Sequence, residues 1–418
     1  MKEWETIQLY YACKLVAGYA FKSKDFGDYP DKVIKITHIV PPTVDMKNLT
    51  GVDLSQYERK KLIKYIAKQG DYVLAMTGAT IGKMGRIEES EAYVNQRVLL
   101  FKNNPNVDKD YLFYVLQQNK FQQYILNHID SESAQPNISA ATVGKYEFLL
   151  PSLKIQNKIG KFLRLIDDKI NVNNRINDNL EQQTVLLFYS WFSSFSQSQS
   201  LQHTNSEFGV IPSNFSVMKV GNLPMFVTDY VANGSFASLK ENVTLYQEPN
   251  YAYFVRNTDL KSDSFGVYVD QHSYEFLSKS TLYGGEIIIS NVGDVGSVFL
   301  CPKLDRPMTL GNNIIMLRPD DDSLRYYLYI WFKYFQGRTL IQGITGGSAQ
   351  PKFNKTDFKN TSILLPPAEL LFRFHETVAP MFVKINENQS ENKRLSDLRD
   401  TLLPRLMSGE IDVSSVKI

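Results

Sequence analysis

The sequence predicts a mixed α/β (α+β) protein: two tandem strand-rich domains separated by two long helices that pair with each other as an antiparallel coiled coil. Three observations carry this. The first is a duplication. The tetrapeptide SAQP begins at Ser133 and again at Ser348, 215 positions apart, and its surroundings return at the same offset. Leu149, Leu150 and Pro151 return as Leu364, Leu365 and Pro366; Lys169, Ile170 and Asn171 as Lys384, Ile385 and Asn386; Gly70 and Gly78 as Gly285 and Gly293. Chance does not hold one offset over so long a span. The second is a texture of short β-branched and aromatic runs broken by glycine and proline, as in DYVLAMTGATIG and GGEIIISNVGDVG, which reads as strands and turns. The third is a heptad seam.

In chain order, residues 1–150 form the first domain, 151–195 the first long helix and 196–206 a linker. Residues 207–366 form the second domain, 367–408 the second helix and 409–418 a tail. Within the domains DYLFYVLQQNKFQQYIL and LRYYLYIWFKYFQ read as helices. The stretch after the first helix, SSFSQSQSLQHTNSEF, is dense in serine and glutamine and reads as a flexible linker.

The seam is Ile159, Leu163, Ile166, Ile170, Asn173, Asn177 and Leu180, with spacings alternating between four and three. Moved by the offset it becomes Phe374, Val378, Met381, Ile385, Asn388, Asn392 and Leu395. Asparagines on one isolated helix would read as a solvated face. Recurring twice at a and d positions, they read as seam residues that fix register, because an unpaired amide in an apolar seam is costly. A chain that leaves one helix, builds a domain and returns can run the second helix antiparallel to the first. Pro380 should kink the second helix or mark its start. At 1.5 Å per residue, about 36 helical residues span on the order of 54 Å, which makes the helices a spacer.

The bulk numbers narrow the class. With 418 residues, 43% hydrophobic and 22% charged, the chain is an ordinary globular protein of two or three domains. A net charge of +2 does not advertise a polyanionic partner, so a nucleic-acid surface must come from local clustering. No apolar run reaches the ~20 residues a membrane span needs, and the start MKEWETIQLYYACK lacks a secretory layout. The cytoplasm is the expected location. Cys13 and Cys301 are the only cysteines and are not equivalent in the repeats, which argues against disulfides and cysteine metal sites.

Catalytic signals are missing. TGATIGKMG is one residue short between its glycines for a phosphate loop, and Met84 stands where Ser or Thr is needed. It reads as strand, turn, strand. No GxGxxG precedes a helix, no GxSxG occurs, and His38, His128, His203, His272 and His375 never take metal-binding spacing. No Asn-Pro-Pro-aromatic stretch of an amino-methyltransferase is present. The chain reads as non-catalytic, with no metal and no cofactor of its own.

Two related modules at fixed separation turn two weak binding events into one length-sensitive event, and duplex DNA, with equivalent groove faces ~34–36 Å apart, suits that geometry. Such modules need cations for phosphates and forked polar side chains for base edges. In the first half the candidates are Lys22, Lys24, the basic run Arg59, Lys60 and Lys61, then Thr77, Thr80, Gln96, Arg97, Gln135 and Asn137. In the second they are Asn233, Ser235, Lys240, Asn291, Asn312, Asn313, Gln350 and Lys352. Singly, each is more often a turn, capping or solvated residue. Their repetition in both halves carries the reading.

The order of strand-rich domain, LLP, long helix with KIN and a closing LRDTLLPRLMSGEI, with the GATIGK and GDVGS turns and two SAQP segments, resembles the specificity subunits of type I restriction-modification systems over nearly the full length. The resemblance implies two target-recognition domains, each reading one half of a split DNA site, and helices that set the unread gap and dock two methyltransferase subunits. S-adenosylmethionine, and ATP with Mg where a restriction subunit is present, would then sit on those partners. Unlike segments such as YACKLVAGYAFKSKDF and FVTDYVANGSFASLKENV imply an asymmetric site. SAQP reads as a structural turn lying near DNA, in preference to direct base reading. The rivals are a protein scaffold with no nucleic-acid role, favoured by the near-neutral charge, and the recognition part of a related bifunctional restriction enzyme.

Overall fold

A computed structural model describes residues 4–129, 136–198, 202–347 and 349–415. The chain divides into two compact units, Met1–Val172 with Glu391–Ile418, and Asn173–Ser390. Each unit therefore owns parts of both long helices.

The sheets repeat. In the first unit the strands Cys13–Ala17, Val98–Asn103, Tyr72–Ala75 and Met84–Arg86 lie side by side in that order, extended by Thr43–Val44 and Ile39–Val40. In the second, Met225–Asp229, Ile314–Pro319, Ile287–Ser290 and Val298–Leu300 have the same order. A further sheet in each unit contains one parallel pair, Tyr93 opposite Val33 and Thr309 opposite Phe254. The central strands YVLA and IIIS are buried at every position, which is why they read as continuous apolar runs rather than alternating ones.

Against the sheets pack the helices Lys109–Gln117 and Ser323–Tyr334. The first starts at Asp108, whose carboxylate accepts the Tyr111 N–H at 2.8 Å. Tyr111 Oη donates to the Leu149 carbonyl at 2.7 Å, and Tyr327 Oη donates to the equivalent Leu364 carbonyl. These bonds pin the LLP segments from which the long helices depart. Pro151 and Pro366 both lie just ahead of the helices, where a missing N–H leaves no partner unsatisfied.

The long helices run Leu153–Phe188 and Ala368–Met407. The second passes through Pro380 without interruption, so the expectation that this proline starts the helix does not hold; its ring lies on the exposed side, away from the packed face. All seam positions are buried or half-buried. Pairing is antiparallel. In the first unit Asp167 meets Arg399 at 2.8 Å and Lys169 meets Glu391 at 3.2 Å; in the second, the Asn388 Nδ2 donates to Asn177 Oδ1 at 2.8 Å and Phe188 faces Phe374. The register sets Asn388 against Asn177. In each unit a tyrosine of the domain helix donates to an acid of the first long helix, Tyr114 to Asp167 at 2.5 Å and Tyr329 to Glu181 at 3.0 Å.

One boundary differs from expectation. His203–Ser206, read as linker, is a strand paired with Gly209–Pro212, and Ser198 is buried. Polar side chains concealed this, because an edge hairpin needs only backbone pairing.

Candidate nucleic-acid interface

One end of the main sheet gathers the loops in each unit. In the first, Ala17, Ala75 and Val98 are adjacent in register, with Val98 opposite Ala75 and Leu99 opposite Ala17. The loops after Ala17 and Ala75 and the loop before Val98 therefore leave together. In the second, Asp229 lies opposite Ile315 and Ser290 opposite Ile314, which places the loops 230–235, 291–297 and 311–313 together.

A strap then crosses this end. The Gly78 N–H donates to the Pro136 carbonyl at 3.1 Å and the Ile138 N–H to the Met76 carbonyl at 3.0 Å. In the second unit the Gly293 N–H donates to the Pro351 carbonyl at 2.9 Å and the Phe353 N–H to the Asn291 carbonyl at 3.1 Å. All four residues of each set correspond at the same offset. The segment after SAQ is thus a two-bond strap over a glycine turn, with Thr77 bridging Asn137 and Val292 bridging Lys352. Gly78 and Gly293 have φ of +70° and +79°, with no atom within 4 Å of an added Cβ; backbone conformation, not crowding, selects glycine there. Further bonds tie in the third loop, from Met76 N–H to the Arg97 carbonyl at 2.9 Å and from Asn291 N–H to the Asn313 carbonyl at 3.1 Å.

The strap brings together some candidates and not others. Gln96, Arg97 and Asn137 are exposed on the first unit's loops, as are Asn312, Asn313, Gln350 and Lys352 on the second's. Asn313 sits at φ +65°, a conformation asparagine tolerates. Thr77 is buried, and Thr80 Oγ1 donates to the Thr77 carbonyl at 3.3 Å. Asn291 Nδ2 is committed to the Phe353 carbonyl at 3.2 Å. Asn233 donates to the Tyr230 carbonyl and Ser280 Oγ and accepts the Lys279 N–H, so its amide holds the fold and is not presented to a groove. Ser235 caps the helix Phe236–Asn242 by accepting the Ser238 N–H at 3.2 Å. Lys22, Lys24 and Lys240 are exposed. Gln135 lies outside the described residues.

The basic run is weaker than its sequence suggests. Arg59 pairs with Asp31 at 2.9 Å and Lys61 with Glu58 at 2.8 Å, leaving Lys60 exposed between them. Sequence reasoning also missed Asp294, in the second glycine turn. Its carboxyl is held below the usual range by the Lys261 ammonium at 3.1 Å and the Ser297 hydroxyl at 2.9 Å. The first turn has Ala79 in that region, so the two turns differ in the charged groups they carry. Phe236, exposed beside Ser235, was missed too, since nothing in its spacing distinguishes it from a core residue.

Among the described residues no group of three His, Cys, Asp or Glu is arranged to hold a metal ion, and no helix is long and apolar enough to cross a membrane. The Cys13 thiol is buried, and burial pushes it up to about 12, far from a reactive thiolate.

The family profile described as type I restriction modification DNA specificity domain matches residues 1–182 and 227–371. The type I restriction enzyme HindI specificity subunit of Haemophilus influenzae is 25% identical over 374 residues, covering 76% of this chain and 81% of its own. The MjaIX specificity subunit of Methanocaldococcus jannaschii is 26% identical over 354 residues, covering 82% and 78%. The S subunit of a type I restriction-modification system from M. genitalium shares the fold, with a TM-score of 0.58 at 14% identity over 97% of this chain and 96% of that one.

Proposed function

The chain belongs to the type I restriction modification DNA specificity family, and on that premise we propose that it is the non-catalytic sequence reader of a DNA-modifying complex. Each strand-rich domain reads one half of a split, asymmetric site. The two long helices set the unread gap and dock two methyltransferase subunits, which carry S-adenosylmethionine. A restriction subunit, where present, supplies ATP- and Mg-dependent cleavage.

The observation that supports this reading is the duplicated strap over the glycine turn, which in each unit gathers exposed forked side chains at one sheet end. Arg97 has the fork for guanine O6 and N7; Gln96, Asn137 and Gln350 have the amides that suit adenine N6 and N7; Lys352 suits guanine or a phosphate. Separate domains make the contributions separable. Replacing Arg97 with alanine lowers methylation at sites through the first half only, and Gln350→Ala through the second only, each by roughly 5- to 150-fold for a lost bidentate contact. Both are measured by relaxed base preference across a randomised site library. Equal relaxation in both halves refutes the modular reading. The scaffold alternative is tested with the same proteins: phosphate contacts make affinity fall steeply with salt, and a scaffold shows no such slope.

A further inference from the structure

We infer that Phe236 is an apolar wedge that enters the duplex at the second half-site, so that the second domain reads how readily a base step opens as well as its edges. The inference rests on the DNA-reading function proposed above. Phe236 is 81% exposed. A large ring left in water forgoes its burial free energy.

The mount beneath the ring is fixed. Ser235 caps the helix that Phe236 opens, and the preceding Asn233 is anchored by three hydrogen bonds, to the Tyr230 carbonyl, Ser280 Oγ and Lys279 N–H. The segment leaves the sheet end at Asp229, opposite Ile315, the end at which the strap and the Asn312–Asn313 loop gather. Lys240 is one turn further on the same helix face, and it and Lys279 are exposed. An exposed aromatic on a fixed mount, with a lysine one turn along the same helix, at the proposed reading end, is the chemistry of a side chain inserted between base steps, with that lysine on an adjacent phosphate.

The test uses the full chain assembled with its methyltransferase and a duplex carrying the mapped site, with 2-aminopurine placed along the second half. Wild-type binding raises the fluorescence at one step, as unstacking requires. Phe236→Ala abolishes that rise and weakens binding by roughly 5- to 150-fold, the range for a lost base–aromatic contact, with an unchanged salt slope; Phe236→Trp retains both signals. Lys240→Ala instead lowers the slope by about one. Wild-type affinity and fluorescence in Phe236→Ala overturn the proposal. So does reduced recovery of the methyltransferase with normal DNA binding by the complexes that do assemble, which makes the ring a protein contact. A wild-type complex with no site preference overturns the DNA-reading function itself, and this inference with it.

Discussion

Replacing Arg399 with methionine removes one of two groups that hold a buried carboxylate in the first unit. The Asp167 side chain is 11% exposed and accepts from Arg399 Nη1 at 2.8 Å and Tyr114 Oη at 2.5 Å. Removing one partner of a buried ion pair costs about 3–5 kcal/mol, because the other charge is left uncompensated. Tyr114 still donates, which places the expected loss near the low end, about 3 kcal/mol. For a domain of roughly 150–250 residues each kcal/mol moves the Tm by about 2–4 °C, so the transition falls by about 6–12 °C. Scanning calorimetry gives the shift, and hydrogen exchange localises it. Residues 153–172 and 391–407 should lose protection together, while the second unit's transition stays in place. The triple variant Tyr114→Phe/Asp167→Leu/Arg399→Met recovers most of the loss, since replacing every partner of the buried carboxylate leaves none unsatisfied. A shift under about 2 °C, or equal shifts in both units, refutes the assignment of these helix segments to one cooperative unit.

Other outcomes follow from the same contacts. Asn388→Leu strips the Asn177 amide oxygen of its donor and costs about 1–3 kcal/mol, with Asn177→Leu/Asn388→Leu nearer to wild type in urea denaturation; a more stable Asn388→Leu would show the pair to be dispensable. Burial pushes the Asp71 carboxyl up, but the Lys102 ammonium, the Lys68 N–H and the Lys109 ammonium outweigh it and leave it below the usual range. A depressed carboxyl stabilises the fold above its unfolded value of about 3.9 and loses that contribution as pH falls through the folded value. The stability gap between wild type and Asp71→Asn should be flat from pH 7 to about 5 and close below about 4; a gap that instead closes on the alkaline side contradicts the assignment. Inserting four residues, just over one turn, after Asn174 in the first long helix should change the unread gap or abolish methylation, and sites with an unchanged gap would refute the spacer role.

What was legible in the sequence was whatever repeats or has a period. The 215 offset anticipated one strand order in two units, and the seam anticipated helices that pair, because both signals are local or self-comparing. Geometry made by distant segments was less so. The strap joins Gly78 to Pro136 and Gly293 to Pro351, each across dozens of residues, and only the recurrence of SAQP hinted at it. Burial was also hidden: Phe236 is exposed and Phe21 buried although both are phenylalanines in the segment that follows the first strand of the main sheet, and Asn233 carries an amide that tertiary contacts consume. Pro380 does not start the second helix, which begins at Ala368, because packing along the other face sustains helix that local backbone bonding alone does not.

The most direct test of the central claim is a genome-wide map of methylated adenines in cells expressing a methyltransferase of such a system with and without this chain. Sequence reading by two domains predicts a bipartite, asymmetric motif with a fixed unread gap, present only when the chain is present. Copurification of the two proteins without any chain-dependent methylation would contradict it and leave a scaffold in its place.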